Sequence, residues 1–260
     1  MFPTTVVVPL DGSDLATRAL AVARAFARQT RGRLLLVSTR WDHDLGSARS
    51  YLEGIASTCT GLDVETVVIA DRPAAEAILL VANETTDRIV CMTSHGRGRV
   101  RWALLGSVAE QIVRESAAPV ILLGRHCRTE WPNNFRRVLL CVDGATTDPA
   151  VLPAALEWAT NLGLEVHVAS AVHPLDTEPP DAVLDAIVEQ FDARRLSAYK
   201  SIVRSSFAAG ALADLADSLD VDLIAMSSHA RTGAGRVALG SVTMGVVSMA
   251  HCPVLVTCTV

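Results

Sequence analysis

The chain is poor in aromatic residues and lacks the cysteine patterns of disulfide-rich and zinc proteins. Phe, Trp and Tyr make up 4% of its 260 residues, whereas half are hydrophobic, mostly Ala, Val and Leu. This composition favours helices packed closely on a buried sheet. The six cysteines form no C-x-x-C pair, and most lie in apolar, strand-like segments: Cys59, Cys91, Cys127, Cys141, Cys252 and Cys258. We therefore expect reduced, buried thiols.

Charge and hydrophobic runs argue against two further classes. The net charge is -5 and the pI is about 5.8, whereas nucleic-acid binding rests on a basic surface. No apolar run approaches the length of a membrane span, and "AAPVILLG" is typical of the longest. The N-terminal "MFPTTVVVPLDG" lacks the basic region of a signal peptide. These features predict a soluble, cytoplasmic protein with no nucleic-acid or membrane partner.

The motifs of common enzyme classes are also missing. There is no G-x-x-x-x-G-K-[ST] sequence, and hence no lysine to hold a transferring phosphate. A G-x-S-x-G elbow, an H-E-x-x-H helix and a paired metal-ligand cluster are likewise absent from the sequence. We predict a protein that is not an enzyme, with no catalytic residues and no metal-binding residues.

The chain contains one sequence pattern twice. "SHGRGRVRWALLGSVAEQIVRESAAPVILL" from Ser94 aligns without gaps to "SHARTGAGRVALGSVTMGVVSMAHCPVLVT" from Ser228, at an offset of 134. The N-terminal parts align at an offset of 132, which pairs Asp11 with Asp143. We infer two tandem copies, domain one over residues 1–126 and domain two over residues 135–260, with the boundary in the short polar segment 124–135.

Strand-like and helix-like segments alternate within each copy. "TVVVPL" is typical of a strand buried on both faces, and "LATRALAVARAFARQT" predicts a helix that ends at Gly32. The alternation continues through "RLLLVST", "VETVVIA", "AAEAILLVANE", "DRIVCMT", a helix from Ser107 and "PVILLG". It predicts a parallel sheet covered by helices on both faces. Ligands of such sheets bind at the carboxyl ends of the strands, where Asp11 and the 93–107 loop belong.

The 93–107 loop carries a family motif. Each copy resembles a universal stress protein domain over essentially its full length, and ATP-binding members of that family carry Gly-x-x-Gly, nine residues, then Gly-Ser or Gly-Thr. Domain one reads Thr93-Ser94-His95-Gly96, nine residues and Gly106-Ser107. Domain two reads Ser227-Ser228-His229-Ala230, nine residues and Gly240-Ser241. The first motif glycine is therefore missing from domain one, and both glycines of the first pair are missing from domain two.

The resemblance implies the fold and the ligand. The expected fold is α/β, with two tandem copies of a five-stranded parallel α/β sandwich of the Rossmann-like, adenine nucleotide alpha hydrolase-like type, paired by a pseudo-two-fold axis. The expected ligand is ATP, with or without Mg²⁺, bound in domain one by Pro9, Asp11, Thr39, Met92, Thr93, His95, Gly96, Gly106, Ser107, Val108 and Ala109. A weaker second site would use Asp143, Ala171, Ser227, His229, Ala230, Gly240 and Ser241.

The family resemblance also assigns roles within the first site. Asp11 lies near the adenosine end, Thr39 offers backbone contacts to adenine, and the glycines with Ser107 surround the phosphates. The arginines of the loop add positive charge near the phosphates: Arg97, Arg99 and Arg101.

Each of these residues has a purely structural alternative. Ser107 and Glu110 fit an S-x-x-E capping box, which would begin a helix without any ligand. Asp11 could accept backbone N–H groups in the turn before the first helix. A histidine beside a loop serine, such as His95, is more often a structural hydrogen-bonding residue than a catalyst. Thr93 would be strained in a left-handed conformation but not in β geometry.

Two functions remain open from the sequence. The first is a stress-response protein that binds ATP or a related adenine nucleotide without efficient hydrolysis. The alternative is a nucleotide-free universal stress protein that acts as a dimerisation or protein-interaction module.

The family resemblance further predicts how the copies meet. The final strands of the two copies should join antiparallel within one chain, residues 119–123 against 253–257, and bury Val120, Leu122, Val254 and Val256. A homodimer of whole chains is compatible with this pairing, but no sequence feature requires one.

Overall fold

The structure is a computed structural model that describes residues 2–40, 45–95, 105–132, 134–143, 151–176, 180–227 and 240–257. Within these ranges the chain forms ten strands and nine helices. Domain one contains β1 (Thr5–Pro9), α1 (Asp14–Thr17), α2 (Ala19–Thr30), β2 (Arg33–Arg40), α3 (Leu45–Ser57), β3 (Asp63–Ala70), α4 (Ala74–Ala82), β4 (Arg88–Thr93), α5 (Ser107–Glu115) and β5 (Val120–Leu123). Domain two contains β6 (Arg137–Cys141), α6 (Val151–Leu162), β7 (Glu165–Val172), α7 (Asp181–Asp192), β8 (Ala198–Arg204), α8 (Ala208–Ser218), β9 (Leu223–Ser227), α9 (Ser241–Met249) and β10 (Val254–Thr257).

The strands form one ten-stranded sheet in the order β3-β2-β1-β4-β5-β10-β9-β6-β7-β8. All neighbours within a domain are parallel, and apolar side chains of the central strands are buried on both faces, in two separate core clusters. A parallel sheet needs this double cover, because each crossover helix lies on one face. The predicted α/β fold is confirmed, with two five-stranded parallel halves.

The two halves meet at their final strands, as the family resemblance predicted. β5 and β10 pair antiparallel, with Val254 opposite Leu122 and Val256 opposite Val120. All four side chains are fully buried. The strands that would be edges of separate sheets therefore lie at the centre of a continuous one, where each is paired on both sides and is protected from pairing with another molecule.

The segment predicted as the first helix is divided into two helices in the structure, and the second of them ends at a different residue from the one predicted. The chain forms α1 and α2 with a turn residue, Arg18, between them. The left-handed residue that ends α2 is Arg31, at φ 52°, not Gly32. Gly32 is needed for close approach instead, because a Cβ there would lie 1.9 Å from the carbonyl oxygen of Thr4. In domain two the matching left-handed position holds Gly163, at φ 65°.

Five aromatic residues form a cluster where the domains meet. Phe26 of α2 contacts Phe135 and Trp158 at ring-centroid distances of 6.3 and 5.1 Å, and Phe2 contacts Trp158 at 5.6 Å. Trp131, between the domains, lies 5.9 Å from Phe135. These rings form an apolar contact between the two halves and belong to, or pack against, the core cluster on that face.

The described cysteines are free and buried, as predicted: Cys59, Cys91, Cys127, Cys141 and Cys252. Desolvation by burial raises the pKa of the Cys141 thiol to about 12, and such thiols are unreactive. None of the helices in the described ranges combines the length and apolarity that crossing a bilayer requires.

Candidate functional site

A cavity of about 510 Å³ opens at the carboxyl ends of β1, β2 and β4 in domain one. Its floor comes from these strand ends, and its sides come from the first turns of α4 and α5. This is the topological switch point of the half-sheet, since β1 lies between β2 and β4 while the chain crosses to both sides of it. The volume lies within the range of small-molecule sites.

Ten of the eleven residues predicted for the first site line this one cavity: Pro9, Asp11, Thr39, Met92, Thr93, His95, Gly106, Ser107, Val108 and Ala109. The eleventh, Gly96, lies outside the described residues, as do the three loop arginines, Arg97, Arg99 and Arg101. Residues that are remote in the chain thus converge because parallel strands end at the same side of the sheet.

Asp11 has a structural role in the turn after β1. One of its carboxylate oxygens accepts hydrogen bonds from the backbone N–H of Ser13 at 2.9 Å and from its hydroxyl at 2.6 Å. The Ser13 oxygen in turn accepts the N–H of Ala16 at 3.2 Å and caps α1. The turn alternative proposed for Asp11 is therefore formed, and the same residue lines the cavity.

Thr93 ends β4 in extended geometry, and no positive φ occurs at this position. Its hydroxyl donates to the carbonyl oxygen of His95 at 2.8 Å. The hydroxyl of Ser94 lies 3.0 Å from Nδ1 of His95. A β-branched residue in place of the motif glycine is therefore accommodated without backbone strain, and His95 makes the structural hydrogen bond expected of it.

Gly106 is the N-cap of α5, at φ -72°, so its lack of a side chain is not explained by a left-handed conformation. Its N–H donates to the carbonyl oxygen of Ser94 at 2.7 Å, and a Cβ would lie 3.2 Å from that oxygen. The close approach of Ser94, just after β4, to the start of α5 therefore favours a residue without a side chain. It also directs the N-terminus of α5 at the cavity, where its partial positive charge favours an anion.

The capping-box alternative for Ser107 and Glu110 is wrong. The N-cap of α5 is Gly106, which has no side chain to accept a backbone N–H, and Ser107 is the first residue of the helix. A capping box needs the serine one position earlier, outside the helix. Both residues line the cavity instead.

Sequence reasoning missed several lining residues: Leu10, Ala16, Val37, Ala74, Ile78, Ser94, Leu105 and Glu110. Val37 could have been found, because it shares a face of β2 with Thr39 two residues later. Ala74 and Ile78 are one helical turn apart on α4 and form an apolar wall. No local pattern indicates that this face of α4 borders a cavity.

The predicted residues of the second site also lie at the carboxyl end of the sheet, where the structure describes them. Asp143 and Ser227 are at the ends of β6 and β9, Ala171 is in β7, and Gly240 is the N-cap of α9 before Ser241. His229 and Ala230 lie outside the described residues.

The helices beside the second site pack at very close range. A Cβ on Gly245 of α9 would lie 2.6 Å from the Cβ of Ala209 on α8. The matching position in domain one holds Gln111 on α5. The observed distance between α9 and α8 therefore requires a glycine at position 245. In domain one the matching position on α5 holds the larger Gln111, and α4 and α5 border the cavity.

Comparison with known proteins identifies the family. The sequence model of the Universal stress protein family matches residues 3–124 and 134–257. The chain belongs to the universal stress protein family. It carries two tandem copies of the domain, in agreement with the internal repeat.

Relatives with this description occur in several organisms. Universal stress protein Rv1996 of Mycobacterium tuberculosis is 29% identical over 186 residues, which cover 65% of this chain and 58% of that protein. The chain thus matches less than two thirds of that relative's length. A universal stress protein of Thermus aquaticus is 31% identical over 133 residues, 46% of this chain and 97% of the relative.

The fold of the whole universal stress protein tandem is also found among solved structures. A universal stress protein from Archaeoglobus fulgidus superposes with a TM-score of 0.77 at 19% identity, covering 98% of both chains. At this identity the likeness concerns the fold alone, with both domains in the same arrangement.

Proposed function

We propose that this universal stress protein binds ATP or a related adenine nucleotide in the cavity of domain one, without efficient hydrolysis. The observation that carries the proposal is the convergence of ten residues, all of them expected from the family resemblance, on one cavity of about 510 Å³. The apolar residues Val37, Ile78 and Met92 suit a flat base, and Asp11 suits a ribose hydroxyl.

The phosphates would lie against the start of α5, where Gly106 approaches Ser94 closely and has no side chain to cover the helix N-terminus. Free N–H groups of a helix N-terminus bind phosphate oxygens. The carboxylates of Asp11 and Glu110 line the same cavity, and Mg²⁺ is typically held by one or two carboxylates together with substrate phosphates. Within the described ranges no group of three His, Cys, Asp or Glu side chains could hold a metal alone, so Mg²⁺ would depend on the phosphates.

Isothermal titration calorimetry with ATP and Mg²⁺ tests the proposal, using matched substitutions in the two domains. Gly106→Asp places a carboxylate where the phosphates should lie, and Gly240→Asp makes the same change at the matching position of domain two. We expect the wild type and Gly240→Asp to bind with similar affinity, and Gly106→Asp to show no measurable heat. Negligible heat from the wild type would favour the nucleotide-free interaction module, and equal binding by all three would place the ligand elsewhere.

Turnover should be slow. No residue lining the described part of the cavity is a lysine or arginine that could neutralise charge on a transferring phosphate. We expect phosphate release at saturating ATP far below the ~1–100 s⁻¹ of dedicated phosphotransfer enzymes. A continuous phosphate-release assay measures this rate, and a value within that range that Gly106→Asp abolishes would contradict the proposal.

A further inference from the structure

A second, smaller cavity of about 230 Å³ lies beside the candidate nucleotide cavity. It is bordered by Leu15 of α1 and by Leu123, Gly124 and Arg125 at the end of β5. The two cavities share one wall, residues 93–95, which we call the partition. Because there is empty space on both sides of it, the partition can shift at a lower packing cost than a close-packed core segment.

The partition is hydrogen-bonded to the backbone on both sides. The carbonyl oxygen of Ser94 accepts the N–H of Gly106 at 2.7 Å, which joins the partition to the start of α5. The N–H of Ser94 donates to the carbonyl oxygen of Leu123 at 2.8 Å, which joins it to the last residue of β5. These two hydrogen bonds connect the N-terminus of α5, through the partition, to Leu123 at the end of β5.

The chain that follows β5, residues 124–128, is the connector, and it lies directly on domain two. A Cβ on Gly124 would be 1.8 Å from the carbonyl oxygen of Val247 on α9, so the backbones are in contact. The N–H of Arg128 donates to the carbonyl oxygen of His251 at 2.9 Å. The connector therefore contacts the helix that begins at Gly240-Ser241, the counterpart of the phosphate end in domain one.

Arg18 holds the connector from the domain-one side. Its guanidinium donates to the carbonyl oxygen of Arg125 at 3.3 Å and to that of Cys127. Arg18 does not line the nucleotide cavity. Its contacts with the connector, which we call the connector clasp, can therefore be removed without touching the proposed ligand.

We infer that ligand binding in domain one is coupled, through the partition, to the seating of the connector on domain two; this inference rests on the proposed nucleotide site. A ligand bound against the N-terminus of α5 displaces Gly106 and, through the hydrogen bonds, Ser94 and Leu123. The second cavity provides the space for this displacement. Coupling between two equilibria is reciprocal, so a substitution that loosens the connector should in turn change the affinity for the ligand.

The experiment combines hydrogen exchange with a clasp variant of the full chain. On addition of ATP and Mg²⁺, the wild-type amides of residues 123–128 and 244–250 should change their exchange rates, and those of Gly106→Asp should not. Arg18→Met keeps the aliphatic stem but removes the clasp, and its Kd for ATP should change by about five-fold or more. Arg24→Met is the control, because Arg24 bonds only to Thr58 and Cys59 of domain one among its described partners; its Kd should stay within about two-fold of the wild-type value, which is below the range of typical coupling factors.

The outcomes separate this inference from the proposed function. If the wild type does not bind ATP, both are overturned. If it binds ATP but the exchange of residues 123–128 and 244–250 is unchanged, the coupling alone is overturned, whatever the variants do. If Arg18→Met binds ATP like the wild type while remaining folded by circular dichroism, the connector clasp has no part in the coupling and the inference fails in the form given.

Discussion

At the scale of single residues, several polar side chains that resemble ligand-binding groups also hold the backbone in place. Asp11 accepts two hydrogen bonds from Ser13, and the turn that precedes β4 depends on Asp87, whose carboxylate accepts the hydroxyls of Thr5, at 3.0 Å, and of Thr85. Asp87 thereby joins the starts of β1 and β4, the two strands whose far ends form the cavity floor. These hydrogen bonds lie at the opposite ends of the two strands from the cavity, and they fix the position of the strands whose other ends form its floor.

The hydrogen bond from the Thr85 hydroxyl is the largest cause that lowers the pKa of Asp87 below its ordinary value of 3.8, and burial opposes it. Thr85→Ala should therefore raise the pKa of Asp87 toward that value, as measured by carbon-detected NMR titration. Because the folded-state pKa is the lower one, the stabilisation is present above about pH 3.8 and is lost as the pH falls through the folded value. At about pH 6 the wild type should have a higher melting temperature than Thr85→Ala, and this difference in melting temperature should be smaller at about pH 3. An unchanged Asp87 titration would contradict the assignment.

At the scale of elements, the ends of matching helices differ between the domains. α2 ends at the left-handed Arg31 and α6 at the left-handed Gly163. In both cases the N–H of the next residue bonds back five positions, from Gly32 to Ala27 at 2.8 Å and from Leu164 to Ala159 at 3.0 Å. The same helix termination is therefore built once with glycine and once without it. The conformation costs a side-chain-bearing residue about 1 kcal/mol more than glycine.

Arg31→Gly should therefore raise the free energy of unfolding by about 0.5–1 kcal/mol, because the strain at φ 52° is relieved at an exposed position. The reverse change in domain two, Gly163→Ala, should lower it by about 1 kcal/mol, although nothing lies within 4 Å of the added Cβ. Thermal and urea unfolding measure both. If Arg31→Gly instead lowers the free energy of unfolding, the entropy that glycine adds to the unfolded chain outweighs the relief of strain in the folded one.

At the scale of the whole molecule, the domains are joined by the β5–β10 pairing, the aromatic cluster at the junction and the side chain of Gln29, in addition to the connector. The Gln29 amide donates to the carbonyl oxygens of Phe135 at 2.9 Å and Leu162 at 2.8 Å, and its oxygen accepts the N–H of Phe135 at 2.7 Å. An amide side chain that satisfies three backbone groups of the other domain fixes the relative position of the two. The tandem therefore forms a single sheet, and each of its two core clusters contains residues of both domains.

Leu122→Lys should destabilise this joint by more than about 4 kcal/mol, because it buries an unpaired charge between fully buried strands. Val256→Lys should act in the same way from the other strand. Leu80→Lys is the control, since Leu80 on α4 is 58% exposed and its replacement should change stability by no more than about 0.5 kcal/mol. Differential scanning calorimetry and light scattering would reveal the loss of melting temperature and of monodispersity. Wild-type behaviour of Leu122→Lys would contradict the role of the joint.

The repeat and the alternation of strands and helices could be predicted from the sequence, because they depend on local periodicity and on the similarity of two segments of the chain. The strand pairing at the joint was predicted only through the resemblance to the universal stress protein family. The convergence of Asp11, Thr39 and Gly106 on one cavity was also predictable, because parallel strands end on the same side of a sheet. For the second site, the structure describes Gly240 and Ser241 at the expected helix start but does not describe His229 or Ala230.

Only the tertiary structure decided the remaining features. Gly32 was interpreted as a helix stop, but its role is set by the carbonyl oxygen of Thr4, which is remote in the chain. The capping box at Ser107 fails because the approach of Gly106 to Ser94 sets the start of α5. The wall formed by α4, the second cavity and the contact of Gly124 with α9 likewise depend on distances between segments that are far apart in sequence. A sequence pattern specifies which face of an element is buried, whereas the packing of the whole chain determines what lies against it.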